Sequence, residues 1–324
     1  LLMLKSKTIL VLVLAISLVM GMFGFGYTAD RTFLALGTGG TGGTYYPLGG
    51  ALAQLLSNKV PDLAVSALTS NASLSNCNFI TTGEIEMGLS QANTTFWAYS
   101  ATSVCKGNQP LTSLRGIASL YPETIHIVAT KASGITCVED LKGKRVGVGA
   151  PNSGTAADAK IILNAHGLTF DDMKVDYLNF NEVAQRLIDG QIDAGFKTAG
   201  MPTSSVINVA TKRDIVLVPI SAEKIKELCD AIPYYGATVI PGGLYKGVDE
   251  DVPALATPAL WICDAKLSPT LVYKMTKALW ENTDVLAKVH SQGKNVTIET
   301  ALDGIGIPLH PGAELYYKEV GLIK

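Results

Sequence analysis

The chain has 324 residues, 48% of them hydrophobic, with 26 basic and 28 acidic side chains and a formal net charge of −2 at pH 7. A balance this close to neutral excludes a partner held by bulk positive charge, nucleic acid above all. The length predicts two cores rather than one.

The first 29 residues read as a secretory signal peptide. Lys5 and Lys7 precede an apolar run from Thr8 to Gly26, and Tyr27-Thr28-Ala29-Asp30 offers small residues for a cut after Ala29. A retained membrane anchor is the alternative. No Cys lies beside the cut, which argues against a lipid anchor, and no later run approaches the roughly 18 apolar residues of a membrane span. Without Lys5 and Lys7 the mature chain keeps 24 of its 26 basic residues against 28 acidic ones, a net charge of −4.

Next comes a short apolar strand, Thr32 to Leu36, then Gly37-Thr38-Gly39-Gly40-Thr41-Gly42-Gly43-Thr44-Tyr45-Tyr46-Pro47-Leu48-Gly49-Gly50. Leu48, Ala51, Leu52, Leu55 and Leu56 then recur at helical spacing. Strand, glycine loop and helix in this order bring bare backbone and free N–H groups up to a ligand, which suits a carboxylate or phosphate. The loop satisfies G-x-G-x-x-G, but no Asp or Glu lies between Leu63 and Gly83 to hold a ribose, so a dinucleotide is not expected. Gly43 stands where a P-loop needs Lys.

A helix to about Asn58, a strand at 63–68 and a helix over 73–82 follow, with Gly83 as its stop and a buried strand to Leu89. Gln91 and Asn93 sit just beyond that strand, where α/β proteins place ligand contacts. The pattern then recurs about 110 residues on. A strand at 145–149 leads into the polar turn Ala150-Pro151-Asn152-Ser153-Gly154-Thr155, and a helix runs from Ala156 to His166 with Gly167 as its stop. Val183, Leu187 and Ile188 form a helical stripe, and Gly190 to Phe196 parallels Gly83 to Leu89. Two such units predict two α/β lobes facing each other, joined by strands at 124–130 and 260–265 that act as a hinge. One long amphipathic helix is expected from Pro269 to about His290, and a last one over 311–320.

Catalytic signatures are missing. The four His, at 126, 166, 290 and 310, form no H-E-x-x-H, and no Ser stands in G-x-S-x-G. His126, inside an apolar strand, is expected to pack in the core. Asp171-Asp172 and Asp249-Glu250-Asp251 are expected in solvated loops. Five Cys allow one or two disulfides of undetermined pairing and fit no zinc or redox spacing. The expectation is therefore a binding protein, not an enzyme, with no metal or cofactor. Its cleft would be lined by Thr41, Gly43, Thr44 and Tyr45 from one lobe and Asn152, Ser153, Gly154 and Thr155 from the other. Glu123 could accept from a ligand ammonium or hydroxyl, and Lys197 could meet a carboxylate or, the favoured reading, face water.

The glycine loop with Thr44-Tyr45-Tyr46-Pro47, Gln91 to Thr94, Leu120-Tyr121-Pro122-Glu123, Ser153-Gly154-Thr155, Gly200-Met201-Pro202 and Pro308-Leu309-His310-Pro311-Gly312-Ala313-Glu314-Leu315-Tyr316-Tyr317 together resemble the TAXI family. These are solute receptors of tripartite ATP-independent periplasmic (TRAP) transporters. The resemblance spans residues 31–324. It implies a two-lobed periplasmic-binding-protein type II-like fold, each lobe a mixed sheet flanked by helices, hinged by two crossing strands. Lobe 1 would take 30–125 and 262–324, and lobe 2 would take 126–261. It further implies a monomer in the periplasm that binds a small organic anion, such as glutamate, glutamine or a dicarboxylate, and delivers it to a TRAP permease. Ligand contacts carried over are Thr41, Gly43, Thr44, Tyr45, Gln91, Asn93, Tyr121, Glu123, Ser153, Gly154, Thr155 and Gly200. Phe196-Lys197-Thr198 departs from the family by placing a charge where a small or apolar residue is expected. A ligand sensor docking on a signalling partner, or a secreted enzyme on the same scaffold with Glu123 as its acid–base group, are the alternatives.

Overall fold

A computed structural model describes residues 31–324. The expected signal peptide lies outside the described residues. Among the described residues no helix is long and apolar enough to cross a membrane.

In chain order the regular elements are β1 (Thr32–Gly37), α1 (Tyr45–Lys59), β2 (Leu63–Leu68), α2 (Ser73–Thr82), β3 (Met87–Gln91), α3 (Ala92–Ser100), β4 (Leu114–Thr130), β5 (Arg145–Gly147), α4 (Gly154–Ala165), β6 (Lys174–Asp176), α5 (Phe180–Ile188), β7 (Ala194–Ala199), α6 (Ser204–Lys212), β8 (Ile215–Leu217), α7 (Ala222–Ala231), β9 (Gly236–Ile240), β10 (Val252–Asp264), α8 (Pro269–Trp280), α9 (Asp284–Val289) and α10 (Pro311–Glu319). Ten strands form one mixed sheet in the order β2-β1-β3-β10-β4-β7-β5-β6, with β8 on β4 and β9 on β10.

The repeated unit of the sequence occupies equivalent places at the two ends of this sheet. β1 and β3 pair in parallel at one end, and β5 and β7 at the other. All of β3 and all of β7 is buried, as expected for strands covered on both faces. Gly83 ends α2 in the left-handed region at φ 79°, where glycine carries no Cβ penalty.

The long strands β4 and β10 run antiparallel and serve both ends. β10 pairs with β3 over 259–263 and with β9 over 252–256. β4 pairs with β7 over 124–129. Midway, Pro122 stands opposite Pro258, and the register slips just beyond, between Ala259 and Leu260. Facing prolines offer no ladder N–H at this step. Each half of the sheet has a core, and a further cluster bridges them, bringing Cys77 and Ile80 together with Ala157. Leu36, Leu52, Leu56, Trp261, Met275 and Tyr317 belong to the first, and Ile127, Val146, Ile162 and Phe196 to the second.

Two expectations change. The helix predicted from Pro269 to about His290 is two helices, broken at Glu281-Asn282-Thr283. Asn282 Nδ2 turns back to the Ala278 carbonyl at 2.9 Å, the competition with the backbone that makes Asn a poor interior helix residue. All five thiols are free, with Cys77, Cys105 and Cys263 buried, so neither of the disulfides that the sequence allowed is present.

Candidate functional site

Both polar turns that precede a helix open on one cavity between the halves of the sheet. Thr44 caps α1 without a side-chain bond to the helix; its hydroxyl instead donates to the Gly200 carbonyl at 3.1 Å. The first-turn N–H groups of α1 therefore lack a side-chain acceptor. Ser153 caps α4, accepting from the Ala156 N–H at 3.0 Å. Gly43, Thr44 and Tyr45 line the cavity from one side, and Ser153, Gly154 and Thr155 from the other. The cavity is tight, about 50 Å³ in volume, well below the roughly 300–1,000 Å³ of an open ligand pocket.

The wall's residues are mostly small or polar, but the surface they present is mainly apolar, and none of them is Lys or Arg. The wall is completed by Ser70 to Ser73, Gln91, Glu123, Asn179, Phe180 and Thr198. Glycines let the walls approach. A Cβ at Gly154 would overlap the Gln91 side-chain amide, and one at Gly43 would come within 3.1 Å of the Phe180 ring.

Two carboxyls serve the site, Glu123 in the wall and Asp158 behind it. Glu123 is 2% exposed and accepts from the Tyr45 hydroxyl at 2.5 Å. Burial pushes its pKa well above the ordinary carboxylate range, against the Tyr45 bond, which lowers it. Asp158 is wholly buried. It accepts from Gln91 Nε2 at 3.0 Å, Asn93 Nδ2 at 2.8 Å, the Thr198 hydroxyl at 2.7 Å and the Tyr235 hydroxyl at 2.6 Å. Burial raises its pKa and the four donors oppose the rise. Gln91 ends β3 and Asn93 opens α3, whereas Thr198 and Tyr235 lie beyond the proline step, so one carboxyl ties the two halves together.

A family model described as NMT1-like matches residues 36–321. The chain belongs to the NMT1-like family. Its fold is also that of solved solute-binding proteins. The alkanesulfonate-binding protein SsuA of Xanthomonas axonopodis pv. citri, bound to MOPS, shares 16% identity over 92% of this chain and 96% of its own, with a TM-score of 0.50. An ancestral arginine-binding protein bound to arginine shares 17% over 81% and 98%, with a TM-score of 0.51. PhnD1 of Prochlorococcus marinus, in complex with methylphosphonate, shares 13% over 90% and 99%, with a TM-score of 0.50. At these identities the likeness is one of fold, and the two-lobed periplasmic-binding-protein architecture expected from the sequence is the one present.

In this NMT1-like protein, eight of the residues singled out from the sequence stand in the cavity wall: Gly43, Thr44, Tyr45, Gln91, Glu123, Ser153, Gly154 and Thr155. Five do not. Thr41 sits exposed at the rim, where its hydroxyl accepts from Asn181 Nδ2 at 2.9 Å. Asn93 lies behind the wall on Asp158. Asn152 is exposed, with its carbonyl accepting the Ser75 N–H at 3.1 Å. Gly200 offers its carbonyl to Thr44 and Thr203. Tyr121 is buried, and its hydroxyl has no hydrogen-bond partner among the described residues.

Lys197 does not face water. It is wholly buried, with its Nζ donating to the Phe180 carbonyl at 2.7 Å and the Ser205 hydroxyl at 3.0 Å. Being central in a strand covered on both faces leaves it no route out. His126 is a core residue, as expected: burial depresses its pKa to about 4. Asp158 escaped the sequence reading. The available signal was an acid on the same helix face as Gly154, one turn on, flanked by Ala157 and Ala159. Asn179 and Phe180 were equally legible, since Asn179 and Glu182 form the capping box that starts α5.

Proposed function

We propose that this NMT1-like protein is a solute-binding receptor that closes on a small organic anion and hands it to a membrane permease. The observation that carries the reading is the convergence of two helix starts, α1 and α4, from opposite halves of the sheet on one cavity. Backbone N–H groups at a helix start and the dipole behind them attract negative charge. Each such contact contributes about 0.3–1 kcal/mol when exposed and up to about 2 when partly buried. Two of them, together with hydroxyl bonds from Ser153 or Thr155, are consistent with micromolar capture, about −8 kcal/mol.

Glu123, in the cavity wall, favours a ligand with a donor at its other end. An acidic amino acid such as glutamate, its amide glutamine, or a hydroxylated dicarboxylate meets both requirements. The contacts we assign are Thr41, Gly43, Thr44, Tyr45, Gln91, Asn93, Tyr121, Glu123, Asn152, Ser153, Gly154, Thr155 and Gly200, of which the eight wall residues touch the ligand and the rest hold the closed form. We place lobe 1 at 30–125 and 262–324 and lobe 2 at 126–261; the facing prolines at 122 and 258 support a boundary in this region, and Trp261 packs with the first lobe. The TAXI-like motifs support a TRAP permease as the partner and the periplasm as the place of work, with residues 1–29 removed on export. Binding and closure, with no bond made or broken, make up the whole activity.

The test is a thermal-shift and calorimetric screen of L-glutamate, L-glutamine, malate and succinate. Stabilisation should grow with ligand as RT ln(1 + [L]/Kd). A folded protein that none of these anions stabilises at millimolar concentration would overturn the reading.

A further inference from the structure

Lys197 is the one charged side chain of β7. Its Nζ lies 5.3 Å from the centroid of the Phe180 ring and bonds the Phe180 carbonyl and the Ser205 hydroxyl. Phe180 opens α5 and Ser205 stands in the first turn of α6, so one ammonium joins two helix starts. The same two starts receive the glycine loop of the other half. Asn181 Nδ2 donates to the Thr41 hydroxyl at 2.9 Å. The Ser204 hydroxyl donates to the Gly42 carbonyl at 3.1 Å, and the Ser205 N–H reaches the same oxygen at 3.4 Å. The Phe180 ring closes against Gly43.

No salt bridge among the described residues includes Lys197. The titratable groups around it are His126, its partner across β4 and β7, kept neutral by burial, and Tyr245, hydrogen-bonded to His126 Nε2 at 3.1 Å. α5 and α6 present it only a carbonyl, a ring face and a hydroxyl. A cation kept in so dry a place without a counter-ion is costly. Methionine would fill the space without that cost, so what the ammonium contributes is the pair of bonds it makes.

We propose that Lys197 is a positioning residue for capture: its ammonium ties Phe180 to Ser205 and so shapes the seat on which the Thr41–Gly43 turn lands when the halves close. The inference rests on the receptor reading only for the role of closure; the seat itself is carried by the contacts named above. Desolvation lowers the ammonium to about 7, so the tie weakens as pH rises through neutrality. The neutral amine still has N–H groups, but it loses the charge that strengthens both hydrogen bonds and the attraction to the Phe180 face.

The test is hydrogen exchange followed by mass spectrometry on the unliganded full chain, comparing wild type, Lys197→Met and Ser205→Ala. In both variants, peptides covering 40–46 and 203–207 should exchange about tenfold faster, as for the loss of one charge-assisted bond, while β7 itself stays protected. In wild type the same peptides should lose protection from about pH 6 to about pH 8.5 after correction for intrinsic exchange, and in Lys197→Met that dependence should vanish. Ser205→Ala removes half of the tie from outside the strand, so the test survives a Lys197→Met protein that fails to fold. Unchanged exchange in the variants, or a pH profile shared by all three, overturns the proposal. A parallel titration with L-glutamate separates the two readings: exchange as expected without glutamate binding keeps the seat and counts against the receptor.

Discussion

The Tyr45 hydroxyl donates to Glu123 Oε2 at 2.5 Å, which ties the first turn of α1 to β4 one residue past the facing prolines. Both side chains are buried, and burial raises the pKa of each. The pair therefore sets the position of one helix start relative to the hinge, and it is the acidic pole of a cavity whose other polar walls are helix starts. Tyr45→Phe strands a buried carboxyl and should destabilise the fold by about 1–3 kcal/mol. Glu123→Gln keeps an acceptor and should cost less. Urea denaturation of the two variants checks the order; equal stability of Tyr45→Phe and wild type would show that the bond contributes nothing.

Gly154 packs directly against the Gln91 side chain with no room for a Cβ. Gly154→Ala, at a helical position that alanine favours, should leave folding intact while holding the halves apart. We expect binding of the captured anion to weaken by about two orders of magnitude, roughly 2.7 kcal/mol, and the radius of gyration in small-angle scattering to stay at its open value on ligand addition.

Asp158 gathers four donors from both halves. Asp158→Ala leaves all four without an acceptor in a buried place, and a loss of roughly 3 kcal/mol or more is expected. Asp158→Asn presents an NH₂ to donors and should recover only part of it. Guanidinium unfolding at constant slope reads both.

His126 supplies a pH signature. Its Nδ1 lies 3.0 Å from the Thr124 carbonyl and its Nε2 3.1 Å from the Tyr245 hydroxyl, and burial lowers its pKa from 6.5 to about 4. Between those values the unfolded chain holds a proton that the folded chain lacks, so stability rises with pH across the window and is lost on acidification through it, at about 1.4 kcal/mol per unit. Glu123 and Asp158, raised by burial, act in the opposite sense. His126→Gln isolates the histidine: the slope of its stability against pH between about pH 4 and about pH 6.5 should be more negative than that of wild type, by up to about 1.4 kcal/mol per unit.

The five thiols are free. A reducing agent should leave the melting temperature where it is, and a drop of several degrees would reveal a disulfide.

Much of this architecture was legible in residue order. Glycine at 83 and at 167, each at a helix end, and apolar spacing at Leu48, Leu52 and Leu55 are local signals, and local signals act through backbone sterics and periodicity. The break at Asn282 was equally local, but a periodic apolar stripe from Leu271 to Leu286 masked it. The cavity wall was partly legible for the same reason, since Gly43 to Tyr45 and Ser153 to Thr155 announce helix starts.

The sequence by itself determined the elements, their duplication and the two glycine- and hydroxyl-bearing turns, because these depend on neighbours a few positions away. Only the tertiary structure decided which side chains lost their water. Asp158, Glu123 and Lys197 look like ordinary surface charges in the chain. They became a four-donor node, a tyrosine-bound acid and a dry ammonium because two halves of one sheet closed around them, and desolvation is a property of that enclosure.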